Sequence, residues 1–232
     1  MNDHRLEPGP EVLYLDNHLL ALNKPCGIPT QPGGASNGSM EESAREFIRL
    51  TRGKPGNVFL HAVHRLDRVA SGITLFSLTG KSLSRMNDLM RTNRTTRIYH
   101  AVITGKLPCE QGRLENFLRH SRLRSVLSEE THPGAKKAVL RYRLLAREGR
   151  LSLVEVELET GRYHQIRAQL SAIGCPILGD SLYGSDAPYV RNGIALHHRR
   201  MEFIHPVRGE LISIEAPYPE AWPVHPRDGR RA

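Results

Sequence analysis

A chain of 232 residues with 39% hydrophobic content can bury one sizeable core or two small lobes, and no stretch approaches the length of a membrane-spanning helix. The formal charge of +9, carried by 33 basic residues weighted to arginine, points to a polyanionic partner, nucleic acid first, because each basic group set on a phosphate releases condensed counterions. Three scattered cysteines, Cys26, Cys109 and Cys175, fit neither a disulfide framework nor a CxxC metal site, which predicts a reducing, cytoplasmic setting.

In chain order, residues 1–10 read as a flexible leader, polar and proline-bearing. Two apolar runs, 12–15 and 19–22, flank Asp16-Asn17-His18 and predict a strand hairpin. A Gly/Pro-rich loop, 27–38, follows. Ser39-Met40-Glu41-Glu42 is a capping-box pattern opening a helix that turns Ala44, Phe47, Ile48 and Leu50 inward and ends at Gly53 to Gly56. Strands are predicted over 58–63 and 73–78, with Asp67 on the connection between them, and loops on a strand scaffold are where chemistry is commonly presented.

A helix over 81–90 carries Leu83, Met86, Leu89 and Met90 on one side, and strict alternation predicts strands over 95–104 and 151–160. Over 163–173 the period is helical, with Ile166, Leu170 and Ile173 as a core stripe and Gly174 as terminator. His164, Arg167 and Ser171 share a second face, which leaves Arg167 available to a partner at the domain edge. Short strands are predicted over 194–198, 201–204 and 211–214, and 218–232 is a Pro/Arg-rich tail. Strands come in groups with only three helices, so the reading is α+β, a mixed, mostly antiparallel sheet with flanking helices in one domain over 11–217.

The chemistry starts at His64-Arg65-Leu66-Asp67-Arg68-Val69-Ala70-Ser71-Gly72, where one carboxylate stands between two arginines, a nucleophile and an anion grip together. Metal chemistry is not expected. His61 and His64 lie three apart in a strand-like stretch and point to opposite faces, no HExxH accompanies them or His197-His198, and Gly33-Gly34 lacks phosphate-loop spacing. Three further segments complete the set: Arg97-Ile98-Tyr99-His100-Ala101-Val102, Thr160-Gly161-Arg162-Tyr163-His164-Gln165-Ile166-Arg167, and Leu178-Gly179-Asp180-Ser181-Leu182-Tyr183-Gly184. Asp180 on its own reads as a turn residue.

In that order, these four motifs closely resemble the RluA-type family of RNA pseudouridine synthases, over nearly the whole chain from Asn23-Lys24-Pro25 to the strand around Leu211. The resemblance implies a pseudouridine-synthase-like fold with a central catalytic cleft. It also implies an isomerase that converts a uridine in a tRNA and/or rRNA stem-loop into its C-glycoside, with no metal or organic cofactor. By the same carry-over Asp67 is the nucleophile, and the sequence leaves open whether it attacks the ribose or takes a proton. Tyr99 stacks on the target base and helps to remove the C5 proton, and Arg167 pairs with Asp67. An unperturbed phenol, with a pKa of about 10, suits stacking better than proton transfer at neutral pH.

The resemblance further places Arg65 in the space of the expelled base, Leu196 against the target uracil, Arg68 on phosphate, and His164 and Gln165 among the substrate-binding residues. The chain departs from the pattern at Ala70, where threonine is usual, at Tyr163, where Thr or Pro is common, and at His198, where Ala is frequent. Many relatives carry an S4 RNA-binding domain ahead of the catalytic one, so a lone catalytic domain, working as a monomer away from membranes, is expected to grip its RNA with its own basic groups. Arg122, Arg124, Lys136 and Lys137 are the candidates for the RNA backbone. The alternative is a noncatalytic RNA-binding or ribosome-assembly factor that keeps the fold.

Overall fold

The computed structural model describes residues 10–33, 38–53 and 58–226. The expected leader up to residue 9, Gly34, the helix end at 54–56 and the tail from 227 lie outside the described residues. Elements run β1 (Val12–Leu15), β2 (Leu19–Lys24), α1 (Met40–Arg52), β3 (His61–Ala62), β4 (Ser71–Ser77), α2 (Gly80–Arg91), β5 (Thr95–Thr104), β6 (Gln111–Ser121), β7 (Arg124–Ser128), β8 (Lys136–Glu148), β9 (Leu151–Leu158), α3 (Gln165–Ala172), β10 (Leu196–Ile204) and β11 (Leu211–Glu215). A single 3-10 turn, Ser181–Tyr183, follows α3.

The strands form one sheet in the order β1-β2-β4-β10-β5-β9-β8-β6-β7, with β11 on β10 and β3 on β4. Only β4 and β10 run parallel, through His197 opposite Ser71 and His198 opposite Gly72. The α+β, mostly antiparallel sheet with flanking helices is therefore the observed fold. β2 and β4 are buried on both faces, which explains their unbroken apolar runs. Leu20, Leu22 and Phe76 pack with Met40, Ala44 and Ile48 of α1, whereas Leu19, Ala21, Ile73 and Leu75 pack with Met86 of α2 and Met201 and Phe203 of β10. A larger cluster joins β5, β8 and β9 to Ile166 and Leu170 of α3.

Local chemistry sets the helix ends as read. The Ser39 hydroxyl accepts from the Glu42 N–H at 3.2 Å, and Gly53 closes α1 in the left-handed region at φ +56°. Leu50, expected inward, is exposed, because the buried stripe of α1 runs through Met40, Ala44 and Ile48. The strand expected over 58–63 shrinks to the two residues of β3, which pair only with the far end of β4.

Two larger corrections follow from packing. Strands expected at 194–198 and 201–204 are one strand, β10, which passes Arg199 and Arg200 through a bulge while pairing with β5. The tail expected from 218 is part of the core as far as 224: Trp222 and Val224 are buried in the cluster that holds Tyr99 and Leu196, and Tyr218 stacks on Trp222 at 5.2 Å. Burial of an indole of that size is a strong tether, and the folded unit does not stop at 217.

Candidate active site

The turn at 64–70 that carries Asp67 is held by residues distant in sequence. Thr30 Oγ1 accepts from the Leu66 N–H at 3.0 Å and donates to the Leu66 carbonyl at 3.1 Å. The Arg68 carbonyl receives the Gly27 N–H at 2.7 Å and the buried Lys24 ammonium at 3.2 Å. Lys24 Nζ also donates to the carbonyls of Pro25 and Ile28, so all three of its N–H groups are used. Its burial lowers the pKa to about 8, with the Cys26 thiol and Asp67 opposing that shift.

Asp67 does not pair with its neighbours Arg65 and Arg68, both of which are exposed. Its Oδ2 accepts from Arg167 Nη1 at 3.0 Å, across 100 residues of sequence. Oδ1 has no hydrogen-bond partner among the described residues, and the side chain keeps 21% of its surface open. One oxygen is thus oriented and the other is left without a protein partner among those residues.

Arg167 lies buried rather than at the domain edge, because Asp180, 1% exposed, grips it from below. Nε and Nη2 donate to the two Asp180 oxygens at 2.7 and 2.8 Å, a bidentate fork that fixes the guanidinium plane. Burial alone would depress the Arg167 pKa, but the Asp180 hydrogen bonds and the charges of Asp67 and Asp180 outweigh it and the net shift is upward. The Tyr183 ring covers the cation at 4.9 Å.

His164, in the left-handed region at φ +49° at the mouth of α3, accepts the remaining Nη1 hydrogen on Nε2 at 2.9 Å. Its Nδ1 therefore carries the proton and donates to the Tyr183 hydroxyl at 3.1 Å. Burial first, and then the Arg167 cation, lower its pKa to about 4 against the pull of Asp67, so the ring is neutral at pH 7 and its approach to Asp67 is not an ion pair. Tyr183 in turn accepts from the Ser125 N–H of β7 at 2.8 Å. A continuous chain of hydrogen bonds runs from the Asp67 carboxylate to the β6–β7 hairpin.

Tyr99 reaches the site from β5. Its ring lies flat on His198, 4.4 Å between centroids and 9° between planes, and His64 abuts the far side of His198 edge-on at 5.2 Å. Gly72, at φ +105°, allows this approach, since a Cβ there would sit 2.4 Å from the His198 carbonyl oxygen. His198 Nδ1 donates to the Ile73 carbonyl at 2.8 Å, and burial holds the imidazole pKa well below its ordinary value. Burial also raises the Tyr99 phenol, despite Arg97, which leaves little phenolate at neutral pH to serve as a base. His198→Ala is expected to lower the urea midpoint, because it removes a buried ring stacked on Tyr99, and His198→Phe should recover part of that loss.

Of the other expected site residues, Leu196 is buried in the cluster around Tyr99. Gln165 is not available to a substrate: its amide N–H donates to the Val139 carbonyl, and its Oε1 accepts from Thr160 Oγ1 and the Arg162 N–H. It braces the turn into α3. Lys137 is bridged to Glu115 on the charged outer face of the sheet, within a network joining Arg113, Arg141 and Glu159, so it is a strand-pairing residue first. Lys136 is exposed, and Arg122 and Arg124 are exposed at the tip of the β6–β7 hairpin. Asp180 and Tyr183 were missed as site residues, although the motif that contains them was singled out. Among the described residues, no group of three His, Cys, Asp or Glu side chains is gathered as a metal site would need.

The sheet and its flanking helices have counterparts among known structures. Two human proteins, RNA pseudouridylate synthase domain containing 4 and domain containing 1, superpose with TM-scores of 0.79 and 0.71 at 21% and 20% identity. The superpositions cover 91% and 92% of this chain and 90% and 87% of those proteins, so the fold is that of a pseudouridylate synthase domain. In sequence, the RNA pseudouridylate synthase family matches residues 18–172. The chain is 35% identical over 211 residues to the uncharacterized RNA pseudouridine synthase YhcT of Bacillus subtilis, covering 90% of this chain and 68% of that protein. It is 32% identical over 212 residues to ribosomal large subunit pseudouridine synthase C of Vibrio cholerae, covering 89% and 65%. The chain belongs to the RNA pseudouridylate synthase family, of the RluA type, and is an isomerase acting on RNA.

Proposed function

We propose that the chain converts a specific uridine in a tRNA and/or rRNA stem-loop to pseudouridine, with Asp67 as the nucleophile. The observation that carries this reading is the divided carboxylate: Oδ2 is fixed by Arg167, while Oδ1 has no hydrogen-bond partner among the described residues on a side chain that is 21% exposed. The target base leaves its stack, which costs a few kcal/mol and is cheapest in a loop, and lies against the Tyr99 ring. Asp67 engages the exposed nucleotide, the bond from N1 to the sugar breaks, the uracil turns, and C5 joins the sugar. The C5 proton is then lost and N1 gains one, so the product is an isomer and no co-reactant is consumed. Arg65 fills the space left by the base, Leu196 packs against it, and Arg68 meets a phosphate.

The RNA stem is gripped by the β6–β7 hairpin through Arg122 and Arg124, with Lys136 alongside. Replacing both arginines by alanine is expected to weaken RNA binding and to reduce the slope of log affinity against log salt by about 2, one per lost phosphate contact. A titration from low to moderate salt measures it, and an unchanged slope would remove the hairpin from the interface. The free thiols Cys26, Cys109 and Cys175 suit a cytoplasmic enzyme. Mapping pseudouridines in total RNA from cells with and without the protein tests the function and names the target uridine; no site lost would sink the reading.

A further inference from the structure

Tyr163, where Thr or Pro is common in the family, has a side chain whose role in RNA isomerisation is unassigned by the chemistry above. It is 46% exposed, unusual for a tyrosine placed beside buried charges. One side of the ring is backed by His164, 3.8 Å between centroids and 21° between planes, and His164 is itself locked by Arg167 and Tyr183. The exposed His120 ring of β6 tilts against it at 5.1 Å and 49°. His164, on which the ring stacks, lies 3.6 Å from Asp67 Oδ2, which sets Tyr163 beside the carboxylate site. The hairpin tip stands next to it, since its hydroxyl donates to the Leu123 carbonyl at 3.3 Å and its own carbonyl accepts from Ser125 Oγ at 2.5 Å.

We propose that Tyr163, backed by His164, is a stacking site for an unpaired RNA base lying next to the flipped uridine. The proposal rests on the reading of this cleft as the uridine site. A ring backed by His164, flanked by His120 and still 46% exposed offers a π-face to a base that has lost a neighbour, and a base within a duplex has no such face to give. Arg122 and Arg124, both exposed, stand on either side of Leu123 and next to Ser125, the hairpin residues bonded to Tyr163, so the occupant is anionic as well as flat. A rigid backing adds to the effect, because His164 cannot swing without disturbing the Arg167 bond to Asp67.

The competing role for Tyr163 is a prop for the hairpin through its bond to the Leu123 carbonyl, and the two roles separate by substitution. Tyr163→Ala is expected to weaken binding of a fluorescein-labelled single-stranded oligouridylate about tenfold, as for the loss of one stacked base, and to leave a duplex RNA of equal length unaffected. Tyr163→Phe and Tyr163→Trp should bind the single strand as the unaltered protein does. On bulk RNA carrying tritium at uridine C5, the alanine variant should raise KM and retain kcat. Equal binding by the alanine variant overturns the proposal, and so does a phenylalanine variant as weak as the alanine one. If the unaltered protein releases no tritium but the single-strand contrast persists, the synthase reading fails and the stacking site stands.

Discussion

Asp67→Asn is expected to abolish pseudouridine formation while RNA binding survives. The amide has nearly the shape of the carboxylate, and its carbonyl oxygen can still accept the Arg167 Nη1 hydrogen that Oδ2 now takes at 3.0 Å. What disappears is the anionic oxygen left open beside the cleft. Loss of a covalent or proton-accepting group of this kind corresponds to at least about a thousandfold in rate, or about 4 kcal/mol of barrier. Single-turnover tritium release measures the rate, and filter binding on the same RNA measures the affinity. Full activity in a variant shown by mass to hold the amide would overturn the nucleophile assignment, and joint loss of binding and rate would point instead to a structural role.

Asp180→Ala should be nearly as damaging, by a different route. Arg167 has side-chain exposure of only 5%, and Asp180 takes two of its N–H groups. Removing one partner of a buried ion pair leaves an uncompensated charge, a loss of about 3–5 kcal/mol. The remaining counter-charge is Asp67, so the guanidinium is expected to close on it and withdraw the reactive oxygen. Urea denaturation should therefore show a lower midpoint, and the protein that remains folded should release tritium slowly. Asp180→Asn, which keeps the shape and one acceptor, separates the two effects: stability should recover in part while the rate stays low. Wild-type activity in a fully folded Asp180→Ala protein would show that Arg167 needs no support from below.

Much of this was readable in the residues. Ser39 and Gly53 bracket α1 through side-chain and backbone preferences that act within four residues, and such local rules need no knowledge of the tertiary fold. β5 was legible because its run of β-branched and aromatic residues fits a mid-sheet strand buried on both faces, and Asp67 stood out because a carboxylate between two arginines is conspicuous. The stretch from β6 to β8 was not legible. These strands face solvent with Arg113, Glu115, Lys137 and Arg141, and charged ladders hide the alternation that marks a strand. Asp180 was passed over because burial is a tertiary property, and an aspartate in a Gly-rich turn looks ordinary until an arginine from α3 arrives on it. Trp222 escaped for the same reason: prolines around it suggested a tail, whereas the cluster it fills is built from distant strands.

The supports of the catalytic turn have a consequence for where the site can be disturbed. Leu66 is tied to Thr30, Arg68 to Lys24 and Gly27, and Val69 to Ile194, whose N–H reaches the Val69 carbonyl at 3.0 Å. None of these ties is local, and closing such long loops is the slow part of assembling a sheet. The placement of the Asp67 carboxylate is therefore shared between the segment at 24–30 and the strand entry at 194, so a substitution at either distant support is transmitted to the turn without touching the carboxylate itself.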